Sequence, residues 1–231
     1  MRILMVAAES REFAGVLTHA REVRPASTRV DWSRRACLGG HELFLVANGA
    51  GCRRAAAALD AACDVFQPEA VVSTGFCGAL AEELTVASVV VATEVASMRQ
   101  RLPARPVAGR MHSTRGTIWC SERVARTAAE KKTLAARGAC AVEMEAAGVA
   151  ARALDRGLPF YCVRAVTDLA GESLANDFQA ALRPDGHFDT MLILRSTLRH
   201  PSARIPELFR LSRRCARAAR ALGDFFADCR F

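Results

Sequence analysis

The segment AVEMEAAGVAARALDRGLPFYCVRAVTDLAG, residues 141–171, contains a pattern of apolar runs from which the fold class can be inferred. An apolar run ending at Val142 is followed by an alanine-rich segment that stops at Gly157, and glycine commonly terminates helices. Pro159 then opens a second apolar run at 160–167. This order predicts a strand, a helix and a second strand, which is the repeating unit of α/β folds.

The same alternation continues outside this stretch. Strands are predicted at 2–8, 41–47, 70–74, 88–95 and 117–120, and helices at 10–20, 52–66 and 121–137. Residues 97–113 are predicted to form a loop, because they contain prolines and arginines without a periodic apolar pattern. Helices are predicted for most of the chain after residue 171. Residues 1–231 are therefore expected to form one α/β domain with three αβα layers, a sheet flanked by helices.

Composition excludes several classes of protein. Hydrophobic residues make up 51% and charged residues 24% of the 231 residues, which is a globular composition and not a disordered or fibrous one. The apolar runs are too short for a membrane span, and the first one meets charged residues too early for a signal peptide, so we expect a cytoplasmic protein. Nine scattered cysteines without a C-x-x-C pair and five dispersed histidines predict reduced thiols and no metal site.

The end of the chain has a distinct charge pattern. Residues 195–231 contain nine arginines and three acidic residues, a balance of +6 out of the net +8 of the whole chain. Residues 203–231 are predicted to form a helical tail with an apolar face and a basic face, namely Leu208, Leu211, Cys215, Ala219, Leu222 and Phe226 against Arg210, Arg213, Arg214, Arg217 and Arg220. This helix either packs on its own domain or contacts anionic lipid headgroups. The nearly neutral body, without interleaved basic and aromatic residues, argues against a nucleic acid as partner.

Carboxylates follow three of the predicted strands. Glu12 follows the first strand, Glu143 and Glu145 follow the short strand of the opening stretch, and Asp168 follows the last one. Ligands of α/β sheets bind beyond the carboxyl ends of the strands, so these residues are candidates for one site. Glu143 and Glu145 are two residues apart and do not share a helical face, so one can face a ligand while the other serves another purpose. The alternative is that Asp168 caps the next helix and Glu145 is solvated.

A glycine-rich turn, NGAG at 48–51, opens the predicted helix at 52–66. Gly49 and Gly51 permit a tight turn, and Arg53 follows it. Backbone N–H groups at a helix N-terminus beside cations form an anion site. The turn is therefore a candidate phosphate site, with a plain tight turn as the alternative.

Two motifs together, AVEMEAAG at 141–148 and VRAVTD at 163–168, resemble the purine nucleoside phosphorylase and methylthioadenosine/S-adenosylhomocysteine nucleosidase superfamily, and STGFCGAL at 73–80 supports them. The later sequence, including ANDFQAALRPDGHFD at 175–189, is similar to the hopanoid-associated phosphorylases. The resemblance implies a nucleoside phosphorylase-like fold and a homo-oligomer. It also implies an enzyme of hopanoid biosynthesis that cleaves the N-glycosidic bond of adenosylhopane and releases adenine, without a cofactor other than inorganic phosphate as a co-substrate.

The resemblance also assigns roles to individual residues. Breaking the bond leaves a purine anion unless N7 is protonated, and it builds positive charge on the ribose. By position, Asp168 is the expected acid beside N7, and Glu145 is the acceptor for the ribose hydroxyls. The further implied contacts are Met144 with the ribose and Phe160, Cys162 and Thr167 with the base.

The sequence leaves the nucleophile open. Nucleosidases use a water activated by a glutamate at the position of Glu12, whereas phosphorylases bind phosphate, which here would involve the 48–54 turn with Ser73 and Thr74. Many family members have a serine where this chain has Phe76, whose side chain cannot hydrogen-bond phosphate. Where bacterial purine phosphorylases have an arginine, this chain has Ser73.

Phe76 and the 97–113 loop are expected on the 5′ side of the ribose, where adenosylhopane carries its triterpenoid. The basic tail is expected to hold the enzyme peripherally at the inner face of the membrane. Two alternatives stand beside this interpretation. The substrate is methylthioadenosine, S-adenosylhomocysteine or another small nucleoside, or the chain is a non-catalytic membrane-associated protein on this fold. Glu12, Glu145 and Asp168 together favour an enzyme.

Overall fold

The computed structural model describes residues 1–107 and 109–231, which form a ten-stranded mixed sheet with helices. The strands are β1 (Arg2–Ala7), β2 (Arg21–Pro25), β3 (Trp32–Leu38), β4 (His41–Ala47), β5 (Ala70–Ala79), β6 (Val89–Ala96), β7 (Arg101–Pro103), β8 (Thr114–Cys120), β9 (Ala139–Glu143) and β10 (Phe160–Asp168). The helices are α1 (Ala14–His19), α2 (Cys52–Cys63), α3 (Ala128–Ala135), α4 (Ala146–Asp155), α5 (Phe178–Ala181), α6 (Thr190–Thr197) and α7 (Pro201–Asp228), with a 3-10 turn at Ser10–Phe13.

The side chains of β1 alternate between two cores, as the two-residue period of a strand requires. Leu4 and Val6 pack with residues of α2 and α4 on one face of the sheet. Ile3 and Met5 pack with residues of α1 and α7 on the other face. The predicted three-layer αβα arrangement is therefore confirmed.

The sheet is not open along its whole length. β4, β1, β5 and β10 run parallel side by side, and β3 and β2 extend the sheet antiparallel beyond β4. On the other side β10 pairs with β6, β6 with β8 and β8 with β9, and β9 returns to the end of β5. These five strands close into a small barrel. Gly78 of β5 pairs with both Val142 and Asp168, so the ends of β5, β9 and β10 meet at one rim.

Several predicted elements differ from the observed ones. The sequence analysis did not predict β2 and β3. All residues of β2 are exposed and β3 contains two arginines, so neither strand has a clear apolar pattern. The helix predicted at 121–137 shortens to α3, whose start is set by a capping box between Thr127 and Glu130. The loop predicted at 97–113 contains β7, and Ala108 within it lies outside the described residues. The chain at 169–177 is irregular where helix was predicted.

α7 is the predicted amphipathic tail, and it begins at Pro201, so that Pro206 lies inside the helix. Its second half packs against α1 so closely that a Cβ added at Gly223 would lie 2.2 Å from the carbonyl carbon of Gly15. Its first half passes over the rim where β5, β9 and β10 end. No helix within the described residues is both long and apolar enough to span a membrane.

Candidate active site

A cavity of about 780 Å³ lies at the rim where the strands end. Six of the predicted site residues line it: Glu12, Phe76, Met144, Glu145, Thr167 and Asp168. They come from the turn after β1, the middle of β5, the link between β9 and α4, and the end of β10. The topology thus brings the three candidate carboxylates, Glu12, Glu145 and Asp168, into one cavity.

Glu12 is held by three backbone N–H groups. Its Oε2 accepts hydrogen bonds from the N–H groups of Ala8 and Glu9, both at 2.9 Å, and its Oε1 accepts one from Phe76 at 2.7 Å. Gly75 makes room for this contact, because it has φ +134° and a Cβ there would lie 2.4 Å from Oε1. Burial raises the pKa of Glu12 above its ordinary value, and the backbone hydrogen bonds oppose that rise. A carboxylate in this environment is suited to accept a proton.

The two glutamates of the EME motif have different surroundings. Oε2 of Glu143 accepts hydrogen bonds from the N–H groups of Glu145 at 2.9 Å and Ala146 at 2.8 Å, so Glu143 caps the start of α4. Oε1 of Glu145 accepts one from the N–H of Gly51 at 2.9 Å. Burial and the charge of Glu143 raise the pKa of Glu145 to about 8. Glu143 is thus engaged in the fold, and Glu145 is the glutamate available to a ligand.

Arg164 is a buried charged residue next to the site that the sequence analysis did not identify. It is fully buried in β10, where its Nη2 donates to Oε2 of Glu143 at 2.5 Å and to Oγ of Ser73 at 2.8 Å. Its Nε and Nη1, like Oγ1 of Thr74, have no hydrogen-bond partner among the described residues. A lone arginine within an apolar strand was the available signal, because a buried guanidinium requires an anionic partner.

Asp168 stands beside a buried lysine. Nζ of Lys131, on α3, donates to Oδ2 of Asp168 at 2.5 Å and to the carbonyl oxygen of Leu169 at 2.7 Å. The hydroxyl of Thr167 donates to Oδ1 of Asp168 at 3.0 Å. Asp168 therefore takes part in an ion pair at the cavity and does not cap a following helix. Sequence reasoning missed Lys131 because no motif marks it.

The predicted phosphate turn is occupied by the protein itself. Its three N–H groups donate at 2.8–2.9 Å within the chain, from Gly49 to Ala8, from Ala50 to Gly186 and from Gly51 to Glu145. Arg53 is exposed and lies outside the lining of the cavity. Ser73 is buried against Arg164. The N–H groups of Gly49, Ala50 and Gly51, which were expected to hold an anion, are therefore already engaged within the chain.

The predicted base contacts of Phe160 and Cys162 also need correction. Both residues are buried in the core with α2 and α4, outside the lining of the cavity. β10 begins at Phe160, whereas the cavity lies at its other end, beside Asp168. The structure therefore places Phe160 and Cys162 away from the cavity, at the opposite end of the strand from Asp168.

The C-terminal segment supplies an apolar wall that the sequence analysis did not identify. The residues of this wall are Leu174, Phe178, Phe188, Ile193, Leu208 and Leu211. Glu207 of α7 fixes the chain beside the wall, because it accepts hydrogen bonds at 2.8 Å from the N–H groups of Ala175 and Asn176. A second cavity of about 550 Å³ adjoins the first, and Phe76 and Cys215 line both. The site is therefore acidic on one side and apolar on the other.

This fold and this site define a class of protein, and comparison with known proteins identifies it. The chain matches the Phosphorylase superfamily over residues 2–109 and 99–185, so it belongs to that family. It is similar to the 5′-methylthioadenosine/S-adenosylhomocysteine nucleosidase of Bacillus licheniformis, at 28% identity over 68% of this chain and 80% of the relative. The nucleosidase of the same name from Chromohalobacter salexigens is 22% identical over 83% of this chain and 94% of its own length.

Solved structures agree on the fold. The 5′-methylthioadenosine/S-adenosylhomocysteine nucleosidase of Helicobacter pylori aligns with a TM-score of 0.71 and 15% identity, covering 97% of both chains. The Streptococcus pneumoniae nucleosidase, solved with a transition-state inhibitor, aligns with a TM-score of 0.67 and 20% identity, covering 96% of this chain and all of that chain. Together with the family membership, these relatives make the protein an enzyme that cleaves N-glycosidic bonds of nucleosides.

The Glu145→Gln variant tests how much the buried carboxylate lowers the stability of the fold and whether it contributes to turnover. The raised pKa means that the folded state binds more protons than the unfolded state between about pH 4.5 and 8, so ionised Glu145 lowers stability as the pH rises through this range. We expect the variant to gain at least about 1 kcal/mol at pH 8.5, about 2–4 °C in Tm, and little at pH 4.5. Its turnover should fall by at least about 100-fold.

The measurement is thermal unfolding at both pH values, together with nucleosidase assays, and exposed Glu82→Gln is the matched control. Equal Tm values for Glu145→Gln and the unmodified enzyme at pH 8.5 would contradict the raised pKa of Glu145. Near-normal turnover would contradict its place in the active site.

Proposed function

We propose that the protein is a nucleosidase that hydrolyses the N-glycosidic bond of an adenine nucleoside with an apolar 5′ substituent, with methylthioadenosine as the reference substrate. This proposal rests on the observation that one cavity contains both a candidate base for water and two candidate carboxylates for the nucleoside. Glu12 is a buried carboxylate suited to activate water, and Asp168 and Glu145 are placed with it around the space for a nucleoside.

The reaction follows from what each carboxylate can do. Asp168 is the acid that supplies a proton to N7 of the purine as the C1′–N9 bond breaks. Glu145 accepts hydrogen bonds from the ribose hydroxyls and stabilises the positive charge that develops on the sugar. Glu12 takes a proton from the water that attacks C1′. The products are the free base and the free sugar.

Water is favoured over phosphate by the hydrogen bonds of the site. The turn at 48–51 uses its N–H groups within the chain, and Arg54 beyond it pairs with Asp31 at 3.0 Å. Arg164, whose charge opposes the burial-induced rise in the pKa of Glu12, has two buried nitrogens, Nε and Nη1, without protein partners among the residues described. Glu12 lines the cavity as an acceptor, and water, unlike phosphate, can donate a hydrogen bond to a carboxylate without charge repulsion.

The apolar wall supports a 5′ substituent of low polarity. Methylthioadenosine nucleosidases are among the relatives, and a methylthio group would pack against side chains such as Leu208 and Leu211. Adenosylhopane is the second candidate. The observation that favours it is the second cavity beyond Phe76, which extends the space between α1 and α7 past what a methylthio group needs.

Adenine release from methylthioadenosine, measured by chromatography with and without phosphate, tests this function. We expect equal rates in both conditions for the unmodified enzyme. Glu12→Gln should lose at least about 100-fold in turnover, because its amide cannot accept the proton of water, and Glu82→Gln should lose nothing. Release that depends on phosphate would overturn the hydrolytic proposal. In the same assay, kcat/KM that rises with the length of a 5′-alkyl chain would favour the adenosylhopane candidate, and kcat/KM that falls would favour methylthioadenosine.

We also propose a peripheral membrane contact, on a different surface from the one that the sequence suggested. Arg214 of the predicted basic face is engaged with Glu172, at 2.6 and 2.9 Å, and is not free to bind lipid. Five apolar residues of α6, the link after it and the first half of α7 are instead 38–63% exposed. We name them the α6–α7 patch: Met191, Leu194, Leu198, Ile205 and Phe209. Arg195, Arg199, Arg210 and Arg213, which are also exposed, are close to these residues in the sequence.

This combination fits an anionic lipid surface, which accepts apolar side chains below the headgroups and arginines among them. The patch also borders the cavity, because Ile193 and Leu208 on the same helices line it. A second copy of the chain is the other occupant that an apolar patch could have, since the resemblance also implies a homo-oligomer.

Sedimentation with vesicles tests the α6–α7 patch. The unmodified protein should sediment with phosphatidylglycerol vesicles and stay in solution with phosphatidylcholine vesicles. The triple variant Met191→Ser, Leu198→Ser and Phe209→Ser should lose vesicle binding and keep methylthioadenosine hydrolysis. Leu154→Ser, at an exposed position of α4, is the matched control. Failure of the unmodified protein to sediment would refute the contact, and conversion of an oligomer to a monomer by the triple variant would make the patch a subunit interface.

A further inference from the structure

The candidate acid Asp168 is in direct contact with a second titratable group, the amine of Lys131. The Lys131 side chain is fully buried, and its Nζ contacts Oδ2 of Asp168 at 2.5 Å. Lys131 follows the capping box of Thr127 and Glu130, in which the Thr127 hydroxyl accepts from the Glu130 N–H at 3.1 Å and Glu130 accepts from the Thr127 N–H at 2.9 Å. The start of α3 therefore fixes where the ammonium group lies.

The choice of lysine at this position is unusual for this chain. Its 32 basic residues comprise 30 arginines and only two lysines, Lys131 and Lys132. Where the fold needs a fixed buried charge, beside Glu143, it uses Arg164. A guanidinium does not give up its proton in proteins, whereas a buried lysine can. Lysine beside the candidate acid thus offers chemistry that the arginines elsewhere in the chain do not.

We propose that Lys131 is a positioning residue that supplies the proton which Asp168 delivers to the leaving base. This inference rests on the hydrolysis proposed above. A proton moves from Nζ of Lys131 to the Asp168 carboxylate, and the Asp168 carboxyl gives it to N7 as the C1′–N9 bond breaks. The electron pair of that bond stays on the purine, which leaves as the neutral base.

The protons balance over the whole cycle. The oxygen of water forms the new bond to C1′, and the proton that it loses goes to Glu12. Lys131 is then neutral, Asp168 is an anion and Glu12 is protonated. After the base leaves, Lys131 takes up one proton from solvent and Glu12 releases one, so the enzyme returns to its starting state.

A leaving group that needs no proton separates this role from a structural one. Adenine must be protonated to leave, whereas 4-nitrophenolate leaves as a stable anion. We would therefore assay Lys131→Met and Lys131→Arg with methylthioadenosine and with the 4-nitrophenyl glycoside of 5-methylthioribose. Exposed Lys132→Met, one residue further on α3, is the matched control, and circular dichroism checks folding.

Both Lys131 variants should lose at least about 100-fold in kcat on methylthioadenosine, with KM changed little, and should stay within about fivefold of the unmodified enzyme on the nitrophenyl glycoside. Asp168→Asn should show the same selectivity, and Glu12→Gln should lose both activities. Lys132→Met should match the unmodified enzyme.

Equal losses on both substrates for Lys131→Met would overturn the proposal, because that result indicates a structural role. Recovery of methylthioadenosine hydrolysis by Lys131→Arg would overturn it too, because arginine restores the charge and not the transferable proton. This second result decides the question even if the enzyme does not accept the glycoside. An unmodified enzyme that releases adenine while its variants show no selectivity refutes only this inference, whereas an unmodified enzyme that cleaves neither compound refutes the proposed function itself.

Discussion

The guanidinium of Arg164 is buried and donates to Glu143 at 2.5 Å, and its charge opposes the rise in pKa that burial causes at Glu12 and Glu145. Removing a carboxylate from water costs several kcal/mol, so three such groups at one rim require a cation within the fold. Arg164 also joins β10 to β5 and to the start of α4 through Ser73 and Glu143. The same side chain thus supplies the cation of the acidic half of the cavity and links the ends of β5, β9 and β10.

The carboxylates Glu12 and Asp168 have different electrostatic surroundings. This difference suits one of them to accept a proton and the other to donate one. Glu12 and Glu145 are crowded carboxylates whose pKa values burial raises, and Glu12 is placed to accept a proton. Asp168 is instead paired with a lysine. Titratable groups whose environments differ in this way commonly divide the roles of base and acid between them. The C-terminal segment covers the other half of the cavity with apolar side chains, so that the same tail completes the core and shapes the substrate site.

The sequence was sufficient for the features that short-range patterns encode. The strand–helix–strand unit around 141–171 and the carboxylates Glu12, Glu145 and Asp168 follow from apolar runs and from what stands at their ends. Closure of the barrel did not follow, because it depends on β9 meeting β5, which no local pattern shows.

Long-range partners were the features that the sequence could not reveal. Lys131 on α3 contacts Asp168 at the end of β10, and the N–H of Gly51, which was predicted to be part of an anion site, donates to Glu145. Only the folded chain shows which polar group meets which. The proposed hydrolysis requires that water attack C1′ while Glu12 accepts its proton. Turnover of methylthioadenosine in ¹⁸O-labelled water with phosphate present, followed by mass spectrometry of the sugar product, distinguishes water from phosphate as the nucleophile. We expect free methylthioribose with one ¹⁸O at C1, and a sugar 1-phosphate without the label would refute hydrolysis.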